Sequence, residues 1–317
     1  MDGVIEVHPV GEVRRRTETV GLVELLVVVE EVAAGEQLLE DHFEDLVNRG
    51  DGELTAVDED GRSLSLRLVA PPEKAAALLW YTGSDSHREA LAGRARGVGL
   101  ELGAPGLARG GIPVETADEA ALYGELGCQW VPPELREGGD ELERAAGGGL
   151  PELVNRRDLL GALHNHTRFS DGAASVAEMA AAAEALGWSF LGIADHSPAA
   201  SYANGLDAER LREQWRVINE LNAAGGPIRI VKGLEADILS DGSLDIPAGC
   251  EAGLEYVVAS VHSNFRLDRV RQTERLVTAV RDPSCRVLGH PTGRLLLARP
   301  GYEVDLERVL EACAEHG

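Results

Sequence analysis

Five short apolar runs decide the fold: LGALHNH (160–166), FLGIADH (190–196), IRIVKGLEAD (228–237), YVVASVH (256–262) and CRVLGH (285–290). Each run ends in a histidine or an acidic residue. Helical stretches over Val176–Leu186 and Ala208–Ala224 fall between some of them, and glycine follows both stretches. Strands that alternate with helices predict an α/β fold with a parallel sheet, either open or closed as a barrel.

The polar residues that end these runs predict a metal site, because the carboxyl ends of parallel strands are where such folds place chemistry. A single histidine at a strand end is more often structural, but five in register are difficult to explain in that way. His164 and His166 are two apart, so both imidazoles face the same side of a strand. The remaining candidates are Asp171, Asp195, His196, Glu235, His262 and His290.

Mixed imidazole and carboxylate ligands without thiolates suit Zn, Mn or Fe and argue against a structural zinc site. Several ions close together predict metal-activated water that attacks a phosphate ester. Hydrolysis of phosphodiesters and of phosphomonoesters are both compatible with such a site.

The composition excludes several other classes of protein. The 317 residues carry a net charge of −24, which argues against tight binding of nucleic acid through a basic face unless metal ions contribute. No apolar run approaches the roughly 18 residues of a membrane span. The four cysteines lie far apart without a CxxC pair, so a disulfide scaffold and a zinc ribbon are not expected and a cytoplasmic location is predicted.

The first half of the chain predicts a separate α+β unit. Thr19–Val29 is a near-continuous apolar run typical of a buried strand, and Glu53–Val69 predicts a hairpin around Asp60-Gly61. A helix is expected from Pro71-Pro72 through Leu79. Residues 136–157 are polar and rich in glycine, which predicts a linker.

The motifs HNHTRFSDG, ADHS, GLEADIL, SVHS and LGHPTGRLL, in this order, resemble the polymerase and histidinol phosphatase (PHP) domain at the C-terminus of bacterial family X DNA polymerases. The resemblance implies a distorted TIM-like (β/α) barrel over residues 158–317 that holds up to three divalent metals, Mn or Zn. By position, His164 and His166 would bind the first metal and Glu235 would bridge the first and second. His262 and His290 would complete the second metal site, and the third would take Asp171 and His196.

The family's last ligands, an Asp-x-His pair, have no counterpart before Gly317. The barrel is therefore expected to be C-terminally incomplete, and the sequence to be a fragment of a longer polypeptide or a decayed copy. Upstream, VGEVRRRTETVGLVELLV, WYTGSDSH and WVPPELREG resemble the palm and thumb of family X polymerases. The resemblance implies a palm-like region over 1–70 and a thumb-like region over 71–135.

The palm-like region departs from the family where the chemistry would lie. Leu22, Glu24 and Ser65 occupy the positions of its three metal-binding carboxylates, and Glu12 replaces the serine of the phosphate cradle. Arg88 replaces the asparagine of the thumb turn. A single carboxylate cannot hold two Mg ions, so polymerase activity is predicted to be absent. Template binding through Arg14–Arg16 is disfavoured by the negative charge.

The function predicted from the sequence is a Mn-dependent 3′–5′ exonuclease acting on DNA 3′ ends, with a role in DNA repair. His164, His166, Glu235 and Arg294 would be the catalytic residues, with Arg294 helping to neutralise the phosphate. One alternative is a histidinol-phosphatase-like enzyme for small phosphomonoesters. Another is a catalytically inactive scaffold associated with DNA. Neither a membrane nor a protein partner is predicted.

Overall fold

The computed structural model describes residues 3–41, 43, 46–57 and 60–316. The chain forms two compact units, Met1–Glu152 and Leu153–Gly317, here called unit 1 and unit 2. Each has its own sheets and its own buried apolar clusters.

Unit 1 begins with a five-stranded sheet in the order β1-β2-β5-β4-β3, in which only the β2–β5 pair is parallel. The elements are β1 (Val4–Pro9), α1 (Gly11–Arg15), β2 (Val23–Val29), α2 (Val32–Glu40), β3 (Val47–Gly50), β4 (Glu53–Val57) and β5 (Ser63–Val69). The predicted buried strand starts later than expected, at Val23. The antiparallel β4–β5 pair matches the expected hairpin, although residues 58 and 59 of its turn lie outside the described residues.

The remainder of unit 1 is mostly helical. Pro71–Glu73 forms a short 3-10 turn, so the helix predicted to open at the two prolines starts only at Lys74. The elements are α3 (Lys74–Thr82), α4 (Asp85–Gly97), β6 (Glu101–Gly103), β7 (Gly106–Arg109), β8 (Ile112–Val114), α5 (Glu119–Glu125) and α6 (Glu141–Gly147). Strands β6 to β8 form a small antiparallel sheet.

The structure differs from the predicted linker over residues 136–150. The Arg136 side chain is fully buried, and its Nε donates to the Val131 carbonyl oxygen at 2.9 Å. Leu142 and Ala145 of α6 belong to the same buried cluster as α3, α4 and α5. The polar composition concealed this packing because one face of α6 alone is apolar, and the boundary between the units falls at Glu152.

Unit 2 contains the predicted parallel α/β architecture. Its five-stranded sheet has the order β13-β12-β11-β10-β9, and every neighbouring pair is parallel. The elements are β9 (Gly161–Ala162), α7 (Val176–Ala185), β10 (Phe190–Ile193), α8 (Ala208–Ala224), β11 (Arg229–Asp237), β12 (Tyr256–Ser260), α9 (Arg269–Val280), β13 (Cys285–Leu288) and α10 (Leu306–His316). Because all five strands are parallel, their carboxyl ends, which carry the polar residues, meet at one edge of the sheet.

The helices of unit 2 begin at side-chain caps that the sequence supplies. Ser175 accepts from the Glu178 backbone N–H at 3.3 Å, and the Glu178 carboxylate accepts from the Ser175 backbone N–H at 2.8 Å. Asp207 and Asp268 cap α8 and α9 in the same manner. Helices α7 and α8 pack against the buried residues of β10 and β11, and α9 and α10 form a second cluster with β12.

Candidate metal centre

Glu235 lies near the end of β11 and is the centre of the histidine cluster. Its side chain is 1% exposed. Nitrogen atoms of five imidazoles surround its two carboxylate oxygens. Their distances are 3.0 Å for His164, 3.1 Å for His290 and 3.3 Å for His262 at Oε1, and 3.0 Å for His196 and 3.4 Å for His166 at Oε2.

The segment after β9 brings His164 and His166 to this carboxylate. The strand itself is shorter than predicted and ends at Ala162. Asn165 keeps the following residues extended, because its Nδ2 donates to the carbonyl oxygens of Ala162 at 3.2 Å and Gly192 at 2.9 Å. The two imidazole rings on either side of Asn165 therefore lie together, with centroids 5.2 Å apart.

Asp171 lies on the other side of His166. Its carboxylate oxygens are 3.3 Å from His166 Nδ1 and 3.5 Å from His196 Nε2. The turn needs glycine at position 172, because a Cβ there would lie 2.4 Å from the carbonyl oxygen of His166. The structure thus brings together all seven residues proposed as metal ligands.

Asp195, which the sequence also offered as a carboxylate ligand, has a different role. It is fully buried and accepts from the Thr167 backbone N–H at 2.7 Å, from the Thr167 hydroxyl at 2.6 Å and from Gln214 Nε2 at 2.5 Å. The Ser170 hydroxyl donates to it as well. Asp195 therefore fixes the segment that carries His166 and Asp171.

Asp237 is a part of the site that the sequence interpretation missed. Its Oδ1 lies 2.6 Å from His262 Nδ1, and its side chain is 3% exposed. Burial lowers the pKa of His262, but the hydrogen bonds to Asp237 and Glu235 outweigh burial and raise it to about 9. The available signal was position, since Asp237 follows Glu235 by two residues on one strand and so faces the same side.

The electrostatics of the cluster favour the ligand forms of Glu235 and His166. Burial raises the pKa of Glu235, but the imidazoles of His164, His196, His262 and His290 close to its oxygens outweigh burial and hold that pKa far below its usual range. Burial lowers the pKa of His166. An ionised carboxylate and a neutral imidazole are the forms that bind metal.

The donor atoms fit divalent metal ions. Three overlapping groups, His164–His166–Glu235, His166–Asp171–His196 and His196–Glu235–His262, each place their ligand atoms within 4.8 Å of one another. Among the described residues, three of these buried atoms lack a hydrogen-bond partner: His166 Nδ1, His196 Nδ1 and Glu235 Oε2. Buried polar atoms without partners are costly, and cations shared between these donors would remove that cost.

Two further residues lie near the cluster in sequence or in space. Arg294 is exposed in the loop after β13, four residues beyond His290, and its part in neutralising the phosphate stays a prediction. Tyr202, which carries no motif, lies with its ring centroid 6.1 Å from that of His196 and 6.4 Å from that of His262. Burial raises the pKa of its phenol.

The positions of the missing palm carboxylates lie in unit 1. Glu24 and Ser65 are register partners on the parallel strands β2 and β5, and Leu22 precedes β2. Burial raises the pKa of Glu24. The cleft beside them has a volume of about 560 Å³, and Glu12 on its wall accepts from the Gly21 backbone N–H at 2.6 Å.

The three arginines considered for template binding have acidic partners inside unit 1. Both terminal nitrogens of Arg14 contact the Glu119 carboxylate, at 3.0 and 2.6 Å. Arg15 Nε donates to Glu137 at 2.8 Å, and Arg16 Nε lies 3.4 Å from Glu134. The structure therefore adds a reason to disfavour a basic face there.

Comparison with known proteins agrees with this arrangement. Residues 162–315 match the PHP domain, and residues 77–137 match the thumb of DNA polymerase beta. The chain is 35% identical over 318 residues to the DNA polymerase/3′-5′ exonuclease PolX of Bacillus subtilis, covering 97% of this chain and 55% of that protein. A probable phosphatase of Caldanaerobacter subterraneus is 36% identical over 94 residues, covering 28% of this chain and 35% of that one. A probable phosphatase of Aliivibrio fischeri is 31% identical over 159 residues, covering 48% and 58%.

The chain therefore carries a region that matches the PHP domain, preceded by one that matches a polymerase-beta thumb. In this combination the chain resembles the bacterial family X polymerases that carry a PHP domain, as the sequence motifs indicated. It spans 55% of the length of the Bacillus relative. In the described part of the chain, no helix has the length and apolar character needed to cross a membrane.

Proposed function

We propose that unit 2 is a Mn-dependent 3′–5′ exonuclease that acts on DNA 3′ ends. The observation that carries the proposal is the cluster itself, in which five imidazoles converge on the buried Glu235 and leave ligand atoms without hydrogen-bond partners. The name of the Bacillus relative, which includes a 3′-5′ exonuclease, supports the choice of substrate.

Each candidate residue would have a defined role in this reaction. Bound divalent ions would supply an activated water and neutralise the charge on the phosphodiester. His164, His166 and Glu235 would hold the first ion, with Glu235 shared with a second at His262 and His290. Asp171 and His196 would hold a third, and Arg294 would bind a phosphate oxygen. Asp195 and Asp237 would keep their neighbouring histidine segments in place.

We also infer that unit 1 does not polymerise DNA. Only Glu24 of the three palm positions is a carboxylate, and Glu12 places a further negative charge where the triphosphate would bind. Primer extension with all four deoxynucleotides, in either Mg²⁺ or Mn²⁺, is therefore expected to give no product, and extension by the purified chain would contradict this part of the proposal.

The test of the exonuclease is release of labelled nucleotides from the 3′ end of a DNA strand. We expect release with Mn²⁺, none with a chelator, and none from the His164→Ala variant. Glu307→Ala is a matched control, because Glu307 is an exposed acidic residue on α10 of the same unit. Nucleotide release by the His164→Ala variant at the wild-type rate would contradict the assignment of the exonuclease to this cluster.

A phosphatase for small phosphomonoesters is the second candidate, and the probable phosphatases that match unit 2 favour it. Competition separates the two, since a DNA 3′ end should inhibit phosphomonoester turnover if both substrates use this cluster. The inactive scaffold is tested by metal analysis. Near-zero Mn and Zn per chain would support it, and two or more ions per chain would contradict it.

A further inference from the structure

Tyr202 is an exposed aromatic side chain beside the metal cluster. Its relative exposure is 72%. Among the described residues of unit 2, it is the one aromatic in the set of exposed large hydrophobic side chains. An exposed side chain adds little to the stability of the core, so folding does not explain an aromatic residue at this position.

The ring of Tyr202 lies close to the imidazole rings of two candidate ligands, His196 and His262. It is tilted by 58° to the ring of His196 and by 77° to that of His262. Among the described residues its hydroxyl has no hydrogen-bond partner. The ring is therefore held against the metal-binding histidines while most of its surface faces solvent.

The segment around Tyr202 is rigid. Residues 201–203 form a 3-10 turn in which Ala203 is buried, and Ala200, which precedes the turn, is buried as well. The Leu206 backbone N–H donates to the His196 carbonyl oxygen at 2.8 Å, and a Cβ on Gly205 would lie 1.9 Å from the carbonyl oxygen of Ser197. A flat side chain on a fixed backbone loses little conformational entropy when a second ring stacks on it.

We propose that Tyr202 is the platform on which the 3′-terminal base of the DNA strand stacks, so that it selects substrates with a base next to the scissile phosphate. The inference rests on the proposed function and names the substrate feature that the site would read. Every nucleobase has a planar face, and stacking on an aromatic side chain strengthens binding with little sequence preference. In a chain with a net charge of −24, such an uncharged contact is a suitable way to hold the strand end.

The test compares two DNA strands that differ only at the 3′ end, one with a normal terminal nucleotide and one with an abasic tetrahydrofuran residue. We expect Tyr202→Leu to lower kcat/KM on the normal end about 10- to 100-fold and to leave the abasic end unchanged within about twofold. Tyr202→Phe should retain the wild-type rates, since stacking needs only the ring. Val270→Ala, at an exposed apolar position on α9, is the control.

A second measurement does not depend on hydrolysis. A strand with 2-aminopurine at its 3′ end and a hydrolysis-resistant last linkage is titrated with the protein in Mn²⁺. Stacking should quench the 2-aminopurine emission with the wild type and with Tyr202→Phe, but not with Tyr202→Leu.

The platform would be overturned if Tyr202→Leu lowered kcat/KM equally on the normal and the abasic end, or if it left kcat/KM on the normal end unchanged. It would also be overturned if Tyr202→Phe lost as much kcat/KM as Tyr202→Leu, because the contact would then belong to the hydroxyl. No nucleotide release by the wild type would contradict the proposed function instead. The emission measurement would then still decide whether Tyr202 binds a base.

Discussion

The two units each bury charged and polar side chains, and they satisfy them differently. In unit 1, the two ring nitrogens of His87 lie 2.5 Å from Glu141 Oε1 and 2.9 Å from the Tyr123 hydroxyl. In unit 2, the buried Nδ1 atoms of His166 and His196 have no hydrogen-bond partner among the described residues. The same residue type is therefore structural in one unit and available as a ligand in the other.

The buried carboxylates of Glu119 in unit 1 and Glu235 in unit 2 also differ in their hydrogen-bond partners. Both oxygens of Glu119 accept from guanidinium groups, at 2.6 and 3.0 Å from Arg14 and at 2.6 Å from Arg136. Glu235 Oε2 is buried without a hydrogen-bond partner, although imidazoles surround it. Several such atoms gathered in one cluster are a sign of a binding site, because single buried polar groups without partners occur in both units.

The largest expected effect follows from removing Glu235. Because five imidazoles meet at this carboxylate, Glu235→Ala should reduce the bound metal per chain by at least half and lower the hydrolytic rate by about 1,000-fold or more, since metal catalysis contributes several kcal/mol. Elemental analysis and the nucleotide-release assay measure the two effects. Glu119→Ala, the corresponding change in unit 1, should leave the metal content unaltered, and a loss of metal there would break the comparison.

Removing Glu119 should instead affect stability. Arg136 is fully buried, and without the carboxylate its charge and that of Arg14 would lose their partner. We expect Glu119→Ala to lower the free energy of unfolding of unit 1 by about 3–5 kcal/mol. Urea denaturation with pulsed hydrogen exchange reports on the peptides of each unit separately. Glu125→Ala, an exposed acid on the same helix α5, should change the value by less than about 0.5 kcal/mol.

Asp237 offers a finer test of the site in unit 2. A carboxylate that orients a metal-binding histidine typically contributes 10- to 100-fold to metal affinity. Asp237→Asn should therefore weaken Mn²⁺ binding by about that factor in a calorimetric titration, while Asp241→Asn at a nearby exposed position should not. Equal affinity of Asp237→Asn and the wild type would mean that His262 needs no such partner.

The sequence predicted that the candidate ligands of unit 2 lie close together, because their positions depend on a local rule. The carboxyl ends of parallel strands meet at one edge, so His164, Glu235, His262 and His290 had to approach one another once the strands were recognised. The same rule did not separate Asp195 from Asp237. Asp195 has a structural role because it accepts a hydrogen bond from Thr167, which is 28 residues away. Such a distant partner cannot be predicted from the residues next to Asp195.

The packing of residues 136–150 could not be predicted for the same physical reason. Arg136 lies in a polar, glycine-rich stretch, and only the fold shows that Glu119, 17 residues earlier, allows its charge to be buried. The predicted loss of palm chemistry rests on residue types alone, since the absence of a carboxylate at Leu22 and Ser65 is a property of the sequence itself. Residue types that a site requires can be checked from sequence, whereas the burial of a charge depends on partners that the topology brings close.

The smallest expected effect is the pH dependence of the Glu119 ion pairs. Burial raises the pKa of Glu119, but the hydrogen bonds and charges of Arg14 and Arg136 outweigh it and lower the pKa below its ordinary value of 4.5. Between the two values the unfolded state binds more protons than the folded state, so stability falls as the pH falls. The stability advantage of the wild type over Glu119→Gln should be constant from pH 7 to about 5 and should then decrease by at most about 1.4 kcal/mol per pH unit. Urea denaturation of both proteins between pH 7 and pH 4 measures it, and an advantage that grew on acidification would show that this carboxylate is not held ionised by its arginines.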